Sequence, residues 1–127
     1  MTRLLLDTTF IVDHLRGTPE AVQRLRRVVE QGDIPLVNDV VTAEVWAGAP
    51  SDDDRALTNL LEFLEVVAAG PMHARTAGLW RARSRAKGHD IGIADALIAA
   101  CADDSRASVL TRNVRDFAQT PVRVETY

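Results

Sequence analysis

Short apolar runs alternate along this chain with longer stretches of helical character, and that alternation limits the fold more than any other feature. Leu4-Leu5-Leu6, Ile34-Pro35-Leu36-Val37, Ser108-Val109-Leu110-Thr111 and Val122-Arg123-Val124 are each only three or four residues long. Runs this short and this apolar suit strands covered on both faces. Glu65-Val66-Val67-Ala68 reads as a further strand tail, closed by Gly70-Pro71. Between the strands, Thr8–Leu15 predicts a helix capped by Thr8 or Thr9 and broken at Gly17. Thr18-Pro19-Glu20 opens a second helix, with Val22, Leu25 and Val29 at helical spacing. A third begins at Asp39 or Thr42, runs through Trp46 and stops at Gly48-Ala49-Pro50. Ser51-Asp52-Asp53-Asp54 marks the start of a fourth, whose stripe is Leu57, Leu60, Leu61 and Leu64. Met72–Lys87, ended by Gly88, and the nearly all-apolar Ile91–Ala102 complete the helices. Strands alternating with helices predict an α/β layer fold with a mostly parallel sheet.

The length of 127 residues leaves room for one domain, residues 1–127. A hydrophobic fraction of 46% and a charged fraction of 26% exclude a disordered or collagen-like chain. Cys101 is the only cysteine, so no intrachain disulfide forms and a reducing compartment is expected. The apolar run near the N-terminus is too short for a signal peptide, and no stretch approaches a membrane span. A soluble, cytoplasmic protein with no membrane partner is the expectation. The formal net charge is −3, from 18 acids and 15 bases. That balance speaks against a nucleic-acid binder, because such domains tend to be basic.

Three of the acids sit in costly places. Asp7 follows Leu4-Leu5-Leu6 at the C-terminal end of a strand. Glu44 is the only charge between Val40 and Gly48, and Asp95 the only one between Ile91 and Ala102. A lone carboxylate in an apolar helix costs several kcal/mol unless it is paired or bound to a metal. On a helical wheel Asp95 lies at the margin of the stripe formed by Ile91, Ala94, Ile98 and Cys101, where it faces a cleft. Pairing with one of the bases is the plain alternative for any one of these acids, and it weakens for three together. Thr111-Arg112-Asn113-Val114-Arg115-Asp116-Phe117 adds oxygen-bearing side chains directly after a strand. Ligands of open α/β sheets bind at that strand edge, where strand order reverses. Carboxylates gathered there repel one another, and a hard divalent cation relieves the repulsion. Neither His nor Cys joins the set, which favours Mg²⁺ or Mn²⁺ over zinc. Such a site suits in-line hydrolysis of a phosphodiester.

These segments together resemble the PIN-domain ribonucleases, and among them the VapC-type toxins of bacterial toxin–antitoxin pairs. The resemblance rests on Leu4-Leu5-Leu6-Asp7-Thr8-Thr9, Thr42-Ala43-Glu44, Ile93-Ala94-Asp95-Ala96-Leu97-Ile98-Ala99-Ala100 and the Thr111–Phe117 segment, in that order. It implies a three-layer α/β/α sandwich and metal-dependent endonuclease action on RNA, leaving a 5′-phosphate and a 3′-hydroxyl. Carried over residue by residue, Asp7, Glu44, Asp95 and Asp116 would form the acidic cluster holding Mg²⁺ or Mn²⁺. Thr9, Thr111 and Asn113 would support it, although capping and turn roles explain Thr and Asn equally well. Asp90 reads as a helix cap. The resemblance also implies a homodimer and an antitoxin that blocks the acidic cleft.

Removing the four cluster acids from the 18 leaves 14 against 15 bases, which softens the charge objection. The bases are also unevenly spread. Arg75, Arg81, Arg83, Arg85 and Lys87 lie in a stretch with no acid, and Arg106, Arg112 and Arg115 follow. Arg81, Arg85, Arg112 and Arg115 are candidate contacts to RNA phosphates; a solvated helix face is the alternative for Arg81, Arg83 and Arg85. The histidines, His14, His73 and His89, share no ligand spacing. Cys101, Trp46 and Trp80 read as core residues. Rival readings are a phosphatase-like α/β hydrolase, a receiver-like signalling module and a PIN-like RNA-binding protein without catalysis. The first expects a second Asp where Thr9 stands; the second lacks its acidic pair before Asp7 and a lysine near the last strand.

Overall fold

The computed structural model describes residues 1–127. Five strands form one sheet: β1 (Arg3–Leu6), β2 (Ile34–Asn38), β3 (Glu65–Val67), β4 (Ser108–Leu110) and β5 (Val124–Glu125). Their order across the sheet is β3-β2-β1-β4-β5, and every pairing is parallel, so the sheet is wholly rather than mostly parallel. Seven helices connect them: α1 (Thr8–Leu15), α2 (Pro19–Glu30), α3 (Asp39–Ala47), α4 (Arg55–Phe63), α5 (Pro71–Ala86), α6 (Ile93–Asp104) and α7 (Val114–Phe117).

The chain steps outward in one direction from β1 to β3, then returns past β1 to place β4 and β5 on the other side. Right-handed crossovers therefore put the helices after β1 and β2 on one face and those after β3 and β4 on the other. This is the predicted α/β/α layering. The central strands are covered on both faces: Leu4, Leu5, Leu6, Leu36, Val37, Val109 and Leu110 are all buried. That burial is why they read as unbroken apolar runs instead of alternating ones. No helix is long and apolar enough to cross a membrane.

Local differences from the sequence reading have simple causes. Asp7, not Thr8 or Thr9, occupies the N-cap of α1, because both threonine hydroxyls are turned to other acceptors. Asn38 caps α3, its side chain accepting from the Val41 N–H at 2.9 Å. The buried face of α2 is Ala21, Leu25 and Val28, whereas Val29 is exposed. Helix α6 begins at Ile93 and not Ile91; Ile91 is fully buried in the preceding loop, where its carbonyl accepts from Arg81. The last strand is Val124–Glu125 instead of Val122–Val124, and a short helix, α7, forms within the polar segment after β4, to which no helix was assigned. Gly88, just past α5, has φ +83°, a left-handed conformation that glycine adopts without strain. Trp80 and Cys101 are core residues as read, and burial pushes the Cys101 thiol above its usual range.

Candidate metal centre

The centre is built at the point where strand order reverses. β1 and β4 lie side by side with Leu6 opposite Leu110, so the next residues, Asp7 and Thr111, leave the sheet together. The Asp7 N–H donates to the Leu110 carbonyl at 3.0 Å, fixing its backbone to the edge. Asp7 is only 2% exposed. Its Oδ2 accepts from the Thr111 hydroxyl at 2.7 Å and from the Thr9 hydroxyl at 3.2 Å. Both threonines are themselves held: Thr111 Oγ1 accepts from the Asn113 N–H at 2.8 Å, and Thr9 Oγ1 from the Arg112 N–H at 3.1 Å.

The other three acids arrive from separate helices. Asp95 lies in the first turn of α6, half-buried, where the positive end of the helix dipole favours a carboxylate. Asp116 lies on α7, and Asn113 Nδ2 donates to Asp116 Oδ2 at 3.0 Å and towards Asp95 Oδ2 at 3.4 Å. Glu44, on α3, accepts from the Thr8 hydroxyl at 2.7 Å. Asp95 feels the other three: its pKa is raised to about 6, first by burial and then by the charges of Asp7, Asp116 and Glu44. The charges of Asp7, Asp116 and Glu44 thus all reach Asp95, although no three of the acids stand close enough together to hold a metal ion as they are placed.

Not one of the four is in an ion pair. The salt bridges instead join Arg24 to Glu125, His73 to Asp104, Arg85 to Asp90 and Arg112 to Asp13. Uncompensated carboxylates beside a buried one are the arrangement a divalent cation stabilises. The oxygen-only donor set fits Mg²⁺ or Mn²⁺. No three of these acids form a ready-made metal cage. A cation held by one or two carboxylates that keeps waters of its own needs no such cage.

Other residues carry roles that motif reading did not show. Thr8, read as a cap, holds Glu44. Asp13, buried on α1, accepts both Arg112 Nη1 contacts, at 2.9 and 3.1 Å, and the Tyr127 hydroxyl at 2.6 Å. Tyr127 also packs edge-on against Phe10, with ring centroids 4.9 Å apart. Burial first, and then Asp13, push its phenol above the usual range. This network ties the C-terminus and the Thr111–Asn113 loop to α1. No one-dimensional pattern links positions 13, 112 and 127, so only the fold reveals it.

The candidate RNA contacts divide accordingly. Arg81 Nε donates to the Ile91 carbonyl at 2.8 Å, Arg85 reaches Asp90 at 3.4 Å, and Arg112 is committed to Asp13. Arg115 is exposed and has no ion pair. Replacing Arg112 by Ala is expected to lower stability by about 1–3 kcal/mol, because Asp13 stays buried with a charged partner lost. Urea denaturation measures this; unchanged stability would return Arg112 to a purely substrate-facing role. Beside Glu44 lies a groove of about 410 Å³, lined by Val12, Leu15, Val45 and Leu57 with Arg16 and Asp54.

Comparison with known proteins identifies the family. The PIN domain family matches residues 4–122. Ribonuclease VapC19 of Mycobacterium tuberculosis is 34% identical over 117 residues, covering 92% of this chain and 94% of the relative. Ribonuclease VapC10 of the same organism is 36% identical over 115 residues, covering 90% and 85%. Among solved structures, DNA-bound VapBC from Salmonella typhimurium superposes with a TM-score of 0.80 at 26% identity, covering 99% of this chain and 98% of that one. VapBC2 from Rickettsia felis, bound to a DNA fragment, shares the fold with a TM-score of 0.84 at 22% identity and 99% coverage of both chains. The chain belongs to the PIN-domain family and is a homologue of the VapC ribonucleases.

Proposed function

We propose that this protein is a Mg²⁺- or Mn²⁺-dependent endoribonuclease that serves as the toxin of a toxin–antitoxin pair. What supports the reading is a half-buried Asp95 that feels the charges of Asp7, Asp116 and Glu44, none of the four being in an ion pair. The VapC names of the curated relatives support the substrate class. Residues 1–127 act in this reading as one PIN-like domain.

Asp7 and Asp95 would hold the cation, with Glu44 and Asp116 adding negative charge around it. When bound, the cation supplies an acidified water and screens charge on the phosphate. Thr111 and Thr9 orient the Asp7 carboxylate, Asn113 keeps Asp95 and Asp116 in register, and Thr8 does the same for Glu44. Attack in line at phosphorus breaks the bond to the 3′ oxygen, so the water oxygen ends on a 5′-phosphate and the departing side is a 3′-hydroxyl. The groove beside Glu44 offers an antitoxin an apolar seat from which a basic side chain reaches the acids. A homodimer accompanies the same reading.

Sequencing new RNA 5′ ends after expression of wild type and Asp95→Asn tests the activity. Monophosphorylated ends that arise only with wild type are expected, and identical ends from both proteins would overturn the site. A pull-down from the source cell is expected to recover a small partner protein encoded beside this one. Recovery of the chain alone would count against the toxin role.

A further inference from the structure

A second cavity, of about 340 Å³, opens between the C-terminal half of α5 and the loop that follows α7. It is separate from the groove beside Glu44, shares no residue with the carboxylate cluster and is more polar. Trp80, Arg83 and Ser84 line it from α5, Lys87 from the C-cap of that helix, and Gln119 and Thr120 from the loop. The buried members already have structural work. Trp80 is a core residue, the Ser84 hydroxyl donates to the His89 carbonyl at 3.0 Å, and the Thr120 hydroxyl donates to the Phe117 carbonyl at 2.7 Å.

Arg83 and Lys87 have no such work. Both are exposed, neither forms an ion pair, and they stand four residues apart on one helix face, where like charges repel. No lining residue is acidic, and no acid occurs between Pro71 and His89. The neighbouring arginines Arg81 and Arg85 differ in having internal partners. The helix C-terminus favours cations in general. That preference does not by itself account for both unpaired cations meeting in one cavity. An anion seated between them would relieve their repulsion, and a guanidinium fork with an ammonium suits phosphate.

Position decides which phosphate. The Gln119 N–H donates to the Asp116 carbonyl at 3.1 Å, and Gln119 Nε2 donates to the Arg115 carbonyl at 3.4 Å. The cavity wall is thus a direct continuation of the helix that carries Asp116. Its volume falls in the range of small-ligand sites of roughly 300–1,000 Å³. We propose that Arg83 and Lys87, with Gln119, form a subsite for the phosphate of a nucleotide flanking the scissile bond in single-stranded RNA. This subsite rests on the ribonuclease reading above. It assigns the substrate track to the unpaired cations at the C-terminal end of α5 and its cap, and not to Arg81, Arg85 or Arg112.

The test compares Arg83→Ala/Lys87→Ala with a charge-matched control, Arg26→Ala/Arg27→Ala. The control cations lie near the end of α2, which leads into the start of β2 at the opposite edge of the sheet. KM for cleavage of a short single-stranded RNA is measured with Mg²⁺ from low to moderate salt. For single strands each phosphate contact adds about 0.7 to the slope of log affinity against log salt. The subsite variant is expected to show a KM raised about tenfold at low salt and a slope shallower by about 0.7 to 1.4. The control should match wild type. Mg²⁺-induced shifts in melting temperature should be the same in all three proteins, showing an intact fold and carboxylate site. Should the double variant fold poorly, Lys87→Ala alone serves, with a slope change of about 0.7. Equal KM and slope in subsite variant and control would overturn the subsite while leaving the ribonuclease reading intact. The same result with loss of an acidic protein partner would reassign the cavity to protein binding. No RNA cleavage by wild type under any metal condition would overturn both.

Discussion

Asp95→Asn is expected to lower metal-dependent RNA cleavage about a thousandfold or more while leaving the fold intact. The cation contributes several kcal/mol of charge stabilisation, and each 1.36 kcal/mol is a factor of ten in rate. Asparagine keeps the size and the helix position but removes the charge that holds the cation. The same substitution should stabilise the metal-free protein. The Asp95 carboxyl has its pKa raised to about 6 by burial and by Asp7, Asp116 and Glu44. The folded state therefore holds this proton more tightly than the unfolded chain does. Its contribution to stability is fully present below the ordinary Asp pKa and is lost as pH rises from about 4 to above 6. Thermal melts with a chelator should show the Asn variant above wild type by a margin that is smallest near pH 4 and levels off above pH 6. Mg²⁺ should raise the wild-type melting temperature at neutral pH and leave the variant unmoved. A margin independent of pH would mean that Asp95 is not under this strain.

Phe10→Ala is expected to cost about 3–5 kcal/mol of stability, the largest loss from any single truncation named here. Phe10 is fully buried on α1, one turn beyond the Asp7 cap. Its ring supports Tyr127, which in turn holds Asp13 and, through it, Arg112. The cavity therefore opens beneath the clamp on the Thr111–Asn113 loop as well as in the core. Urea denaturation should show a lower midpoint, and cleavage by the fraction still folded should fall with it. A loss below about 1 kcal/mol would mean that the core refills the site.

The carboxylate site was legible because its cost was legible. Asp7 and Asp95 each interrupt an apolar segment and are buried or half-buried there, whereas Glu44 is exposed, so the same pattern carried no burial cost at that position. The buried parallel strands were legible from the same kind of run, though their order was not, since Leu4-Leu5-Leu6 and Val109-Leu110 are apolar at every position only because both faces are covered. Side-chain partners were not legible in this way. Thr8 looks like a cap and instead binds Glu44 across 36 positions. Asp13, Arg112 and Tyr127 meet only after the sheet brings α1, the β4 edge and the C-terminus together. The arginines made the same point in reverse. Arg81 and Arg83 are equivalent in sequence, yet one is consumed by the Ile91 carbonyl and the other is left free over a cavity. Helix rotation decides between them, and helix ends shift by a residue or two with the cap.

The central claim is that four unpaired carboxylates at the β1/β4 edge hold a divalent cation that cuts RNA. The most direct measurement is cleavage of a purified RNA by purified protein, first in chelator and then after adding Mg²⁺ or Mn²⁺, with wild type and Asp95→Asn side by side. The account predicts no cleavage in chelator, restoration by either ion in wild type alone, and 5′-phosphate ends on the products. Undiminished cleavage in chelator, or equal cleavage by Asp95→Asn, would contradict it.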